Sequence, residues 1–289
     1  MNRPGRLACA LALLAGPAAG SAAVSCGLTV TSPSGSVAVP GALVLGGTLT
    51  VQCTKAADSP LASASFSATV SSTHALAAED TAGRGIGYGL WQDAGARTPW
   101  GNTAPYALIG SVVFAGGPMA STQLPFYLVA PAPARRPAAG SYRDTLLVTL
   151  AYAADGSAAR SAVSTGTSIS TGTSTGSAAG GVTLDVPPSC SLSTPSAVTL
   201  DYVAFQSTPA IATNSFTADC NTDYTLALDN GGGTLLELPY TLTLDAASGT
   251  WDGLVHQHRV TGRIEAGLAG ACAAAPCQAA RVHVLTISY

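Results

Sequence analysis

Apolar and hydroxyl-bearing side chains alternate one for one along run after run of this chain. Leu49-Thr-Val-Gln-Cys53, Thr145–Tyr152, Tyr224–Asp229, Tyr240–Asp245 and Val282–Tyr289 each set Val, Leu or Ile on one side and mainly Thr or Ser on the other. A period of two marks a half-buried antiparallel strand. No helical period lasts more than two turns after residue 23. Clusters such as Asp229-Asn-Gly-Gly-Gly233 and Ala115-Gly-Gly-Pro118 break the runs where strands reverse. The pattern predicts an all-β protein built from β-sandwiches.

Of the 289 residues, 9% are charged and 47% hydrophobic, which excludes a disordered chain. Twelve basic residues, of which only Lys55 is lysine, face fifteen acidic ones. No basic cluster offers a footprint for nucleic acid or an anionic membrane. Arg3 and Arg6, the apolar stretch Leu7–Ala19 and the small residues Ser21-Ala22-Ala23 read as a secretory signal peptide over residues 1–23. Cys9 lies within the apolar stretch, so no lipoprotein anchor is expected. Removing residues 1–23 takes two arginines and no acid, moving the net charge from −3 to −5. No later run reaches the roughly 18 apolar residues of a membrane helix. An exported, soluble protein is expected.

Export places the other six cysteines in an oxidising compartment. Six cysteines allow about fifteen connectivities. Closeness along the chain and the repeated spacings of about thirty residues favour Cys26–Cys53, Cys190–Cys220 and Cys272–Cys277. Zinc is the competing reading of the last pair, but no His or further Cys pair stands at finger spacing. Residues 153–189 are dominated by Ser, Thr, Gly and Ala and read as a linker. It separates residues 24–152 from 190–289, each the size of a small β-domain.

In the first half, Tyr88-Gly-Leu-Trp-Gln-Asp93, Trp100-Gly101, Leu124-Pro-Phe-Tyr127 and Gly140-Ser-Tyr-Arg-Asp144, running on into the strand to Tyr152, occur in order. This set resembles the spore coat protein U domain, a family that includes the pilins of archaic, Csu-type chaperone–usher pili. The second half is similar more loosely, through Cys190, Thr199-Leu-Asp-Tyr202, Asp219-Cys220, Tyr224–Leu228 and the terminal strand. The resemblance implies two immunoglobulin-like sandwich domains, the C-terminal one an incomplete pilin-type sandwich lacking its last strand. It implies export to the periplasm, a periplasmic chaperone, an outer-membrane usher, and a next subunit whose donor strand fills the open groove by β-augmentation.

A donor strand needs roughly ten residues to cover a groove. Cleavage after Ala23 would leave only Val24 and Ser25 ahead of Cys26. The expectation is a subunit that accepts a strand without donating one, as a tip adhesin at the cell surface would, mediating attachment and biofilm formation. The alternatives are a structural shaft or coat subunit, and a secreted carbohydrate-binding module. The fibre-joining edge would be Val282, Val284, Leu285, Ile287 and Tyr289. An in-chain donor strand for the first domain is read at residues 181–186, through Val182, Leu184 and Val186.

Contact with an abiotic or host surface is expected from three apolar, Pro-containing loops, represented by Val39, Pro40 and Leu43, by Pro105, Tyr106 and Leu108, and by Val129 and Pro131. Catalysis is poorly supplied. His256-x-His258 puts two imidazoles on one strand face, with polar residues on a solvated face as the plainer reading. No G-x-S-x-G, H-E-x-x-H or phosphate-loop pattern occurs. No enzyme activity, cofactor or metal is expected.

Overall fold

The computed structural model describes residues 24–37, 41–103, 105–133, 135–154, 160–164, 181–272 and 276–289. The signal peptide reading, Val39 and Pro40 fall outside them. Every regular element among the described residues is a strand. The first are β1 (Val24–Thr31), β2 (Ser34–Ser36), β3 (Leu43–Lys55), β4 (Ser63–Ser72), β5 (Ala77–Glu79) and β6 (Gly85–Gly87). Next come β7 (Gly89–Trp91), β8 (Leu108–Val113), β9 (Met119–Ala130), β10 (Gly140–Ala154), β11 (Arg160–Ser164) and β12 (Gly181–Val186). The rest are β13 (Cys190–Leu192), β14 (Ala210–Cys220), β15 (Tyr224–Leu228), β16 (Gly232–Leu235), β17 (Leu238–Leu244), β18 (Ser248–Gly249), β19 (His256–Ile264) and β20 (Leu285–Ser288).

Strands up to β12 make one sandwich. One sheet has the order β1-β3-β9-β7, and the other follows β2-β12-β10-β4-β8 with β5, β6 and β11 attached. Strand β4 shows why the sequence folds this way. Ala64, Phe66, Ala68 and Val70 are buried, while the intervening Ser and Thr face outward. Phe126 lies across the strand pair from Gly47, and any side chain at Gly47 would overlap its ring. The missing Cβ makes room for an aromatic centre of the core, where Trp100 packs against Phe126 at 4.9 Å and donates its Nε1–H to the Ala68 carbonyl at 2.9 Å. The buried cluster runs unbroken from Val24 to Val186.

Of the stretch 153–189, expected as a linker with a donor-like strand at 181–186, residues 155–159 and 165–180 lie outside the described residues, while 153–154 and 160–164 are strand and 181–186 is the expected strand. Ala153 and Ala154 end β10, and β11 turns back antiparallel to it, Ser164 opposite Val148. Farther along the same edge, β12 pairs antiparallel with β10, from Gly181 opposite Thr145 to Val186 opposite Gly140. Its other edge takes β2 in parallel. Val182, Leu184 and Val186 point inward and are buried.

The second group of sheets has the orders β13-β14-β19-β17-β16 and β18-β15-β20. Its buried residues form two separate clusters, around Phe216, Tyr224 and Leu226 and around Ala210, Tyr240 and Ile264. Cys26 pairs with Cys53 in the β1–β3 register and Cys190 with Cys220 in the β13–β14 register, and each pair is a disulfide. Cys272–Cys277 closes a short loop.

Strand register also sorts the ends of the first sandwich. Val24 lies opposite Lys55, Thr54 opposite Met119, Ser63 opposite Val113 and Ala64 opposite Ala154, so these share one end. Leu43, Ala130, Gly140 and Val186 share the other. The second group of sheets joins here. Arg136 Nε meets Asp219 Oδ2 at 3.1 Å, and Ala139 N–H donates to the Asn221 carbonyl at 2.7 Å. Asn221 itself is buried and clasps the Ser189 N–H and the Pro187 carbonyl.

Burial of Leu184 predicts that Leu184→Ala destabilises the first sandwich by about 3 kcal/mol, within the range for truncating a core leucine. Calorimetry of the full chain should show its transition moved down by several degrees. An unmoved transition would remove β12 from that core.

Candidate functional site

The residues that carried the family resemblance meet in the first sandwich. Asp144, on β10, is 2% exposed and accepts hydrogen bonds from the Tyr88 hydroxyl at 2.6 Å, the Thr73 hydroxyl at 2.9 Å and the His74 N–H at 3.2 Å. Burial by itself would raise the Asp144 pKa. Donors led by Tyr88 outweigh that and hold it below the ordinary carboxylate value. Burial, reinforced by Asp144, pushes the Tyr88 phenol upward. Tyr142 donates to the Ala138 carbonyl at 2.8 Å, and Asp93 accepts from the Thr98 N–H at 2.8 Å. Asp144 and Tyr142 thus clasp turns toward the end that joins the second group of sheets, and Asp93 clasps the turn that follows β7, farther from it.

The open feature lies in that second group. Strand β20 pairs with β15 along one edge and, among the described residues, with nothing along the other. Leu285 and Ile287 are half-buried and pack with Leu192 and Leu244 on the Phe216–Leu226 cluster. Residues 193–209 cross the larger sheet without joining it as a strand. Their Val198 and Leu200 approach Gly262, which leaves them the space. Val282 and Val284 precede β20, and with Tyr289 they are exposed. The expected edge therefore begins as paired strand at Leu285, later than alternation suggested.

His256 and His258 do not lie on a solvated face. His258 is buried, and the Tyr224 hydroxyl bonds both rings, at 3.1 Å to His256 Nδ1 and 2.6 Å to His258 Nε2. Asp252 takes the far side of His256 at 2.9 Å. A parallel arrangement holds the chain before β20, where His283 bridges Tyr240 at 2.6 Å and Asp229 at 2.9 Å. The rings spend their nitrogens on neighbours within the fold. Sequence spacing showed the shared face, but not Tyr224, which is 32 residues away.

The contact loops fare unevenly. Leu108 is buried at the start of β8, because its pairing opposite Ala68 turns it into the core; it is not a surface residue. Ile109 and Val113 on the same strand are 74% and 65% exposed, the outward half of an alternation that Gly110 and Ser111 obscure. Pro105 and Tyr106 are exposed. Leu43 and Val129 are half-buried, and with Pro131 they lie at the end nearest the second group of sheets. The far end instead presents Ala56, Ala57, Pro60, Val113, Pro118 and Met119.

Residues 15–149 match the family model of the Spore Coat Protein U domain. The match covers just under half of the chain, within the first sandwich and the residues before it. Two solved structures are similar at low identity. One is the CsuC–CsuE chaperone–tip adhesion subunit pre-assembly complex from archaic chaperone–usher Csu pili of Acinetobacter baumannii, with 15% identity, TM-score 0.41, and 91% of this chain and 100% of that chain covered. The other is the CupB6 tip adhesin from Pseudomonas aeruginosa, with 12% identity, TM-score 0.37, and 92% and 95% covered. No curated protein matches the chain.

The depressed Asp144 pKa gives stability that is present above the unfolded carboxylate value, about 3.9, and is lost as the pH falls through the lower folded value. Asp144→Asn should cost about 2 kcal/mol at neutral pH, the scale of a lost charge-assisted hydrogen bond. It should also flatten the acid limb of a melting-temperature profile. Equal acid sensitivity in both proteins would assign that limb to other carboxylates.

Proposed function

We propose that the chain is the tip adhesin subunit of an archaic chaperone–usher pilus, promoting attachment and biofilm formation. The observation that carries this reading is the contrast between the two sandwiches. Strand β12 fills the first from within the chain, while β20 leaves an unpaired edge beside half-buried Leu192, Leu244, Leu285 and Ile287. An open apolar edge is a template for another strand. A periplasmic chaperone would occupy it during export through an outer-membrane usher, and the next subunit would replace that strand by β-augmentation. The protein then reaches the cell surface with residues 24–186 outermost.

In that arrangement the surface-contacting part is the end of the first sandwich farthest from the joint. Val113 and Met119 are 65% and 59% exposed there, with Pro118 between them. Few charges stand nearby, so burial of apolar area drives contact. Pro105 and Tyr106 form a secondary apolar loop. The junction-end positions Leu43, Val129 and Pro131 take no part in first contact.

Two measurements test the proposal on the full chain. Adding the cognate chaperone, or a peptide of alternating apolar residues, should raise the melting temperature of the second sandwich and leave the first unchanged. Ile287→Asp should abolish that rise. A second transition indifferent to both partners would sink the open-edge reading. Replacing Val113 and Met119 together by Ser should cut adhesion to apolar surfaces without altering either transition. Unchanged adhesion would move the contact elsewhere.

A further inference from the structure

The two sandwiches meet around a cleft of about 350 Å³, inside the range of roughly 300–1,000 Å³ typical of ligand sites. The first sandwich contributes the turn Arg84–Gly87 and, from the connection between β9 and β10, Pro131, Pro133 and residues 135–138; the second contributes Trp251, Asp252 and Gly253. Three of the chain's twelve basic residues, Arg84, Arg135 and Arg136, line it. Such a concentration is unusual in a protein whose net charge is negative.

The three arginines are not equivalent. Arg84 is paired with Asp80, and its guanidinium lies over the Trp251 ring, 4.9 Å from the centroid. Arg136 is paired with Asp219. Arg135 is exposed and has no hydrogen bond or ion pair among the described residues. A Cβ at Gly253 would touch Trp251 Cζ2 at 3.8 Å and Arg135 Cδ at 4.0 Å, so indole and free guanidinium flank one bare stretch of backbone. The Trp251 Nε1 is shielded from solvent and has no acceptor. A buried N–H without a partner is rare in folded proteins.

We propose that this cleft binds a carboxylate-bearing sugar. Arg135 takes the carboxylate, and a shift of the Trp251 ring on binding uncovers its indole N–H, which then donates to a hydroxyl or ring oxygen. Asp252, which also lines the cleft, is held by His256, so Arg135 is the guanidinium left without a partner among the described residues. One such cation suits a monoanion better than a phosphate dianion, and its planar fork matches a carboxylate in two parallel hydrogen bonds. Pro131, Pro133, Pro137 and Ile86 supply an apolar wall against which the C–H face of a sugar ring packs. The site is separate from the apolar contact end and does not depend on the pilus reading. Because its walls come from both sandwiches, a bound sugar also braces the joint between them.

The test is titration of the full chain, followed by calorimetry, with glucuronate, with tri-galacturonate, and with glucose, acetate and inorganic phosphate as controls. Both uronates should bind; tighter binding of the oligomer would indicate a polysaccharide as the source, and equal binding the free acid. Arg135→Ala should weaken uronate binding at least about tenfold. Trp251→Phe, which keeps the ring beneath Arg84, should weaken it several-fold, and Arg259→Ala should leave it unchanged. Unaltered affinity in Arg135→Ala, no uronate binding at millimolar concentrations, or glucose binding as tightly as glucuronate would each overturn the proposal. Equal binding of acetate or phosphate would reduce the site to a general anion contact and overturn the sugar assignment.

Discussion

The seat of β12 between β10 and β2 is the constraint on which the first sandwich depends. Val182, Leu184 and Val186 complete an inner face that would otherwise stand open beside Tyr142 and Leu146. Their burial is worth roughly 5 kcal/mol before ordering costs, comparable to the net stability of a small domain. Among the described residues the second sandwich has no such strand along β20, and its buried residues form two clusters. The two halves of one chain thus differ in how far their sheets are filled.

The joint between the halves is built from the same local chemistry. Asp144 and Tyr142 stiffen the start of β10, and residues 135–138, which lead into it, line the cleft together with Trp251. A polar clasp inside one sandwich therefore sets the position of arginines that face the other. Asn221, buried and bonded to both Ser189 and Pro187, anchors the crossing from the opposite side.

Much of this was legible in the sequence because alternation reports burial directly. Strands such as β3, β10 and β12 follow from it, and the value of Leu184 is plain from its neighbours at 182 and 186. Which loop lies at which end was not legible. Pro131 and Met119 sit at opposite ends of β9, and only register against Leu43 and Thr54 tells them apart. The linker reading failed at residues 160–164 for a related reason. Composition favoured coil, but the free edge of β10 offered backbone partners that composition does not record. Leu108 was misread because its pairing with β4 is also nonlocal. The charged cleft draws on residues 84, 135 and 251, too far apart in the chain for any motif.

Both long disulfides bridge neighbouring strands of one sheet, and neither ties a sheet to the one it faces. The mechanical consequence is sharpest at Cys190. A pull that separates the two halves enters the second sandwich at β13, a three-residue strand paired, among the described residues, with β14 alone. Without the bridge, that tension would shear a few backbone hydrogen bonds. Through Cys190 it passes covalently to Cys220, at the end of an eleven-residue strand in the middle of the load path. The facing sheets are held to each other by noncovalent contacts, while the point of greatest stress is locked covalently.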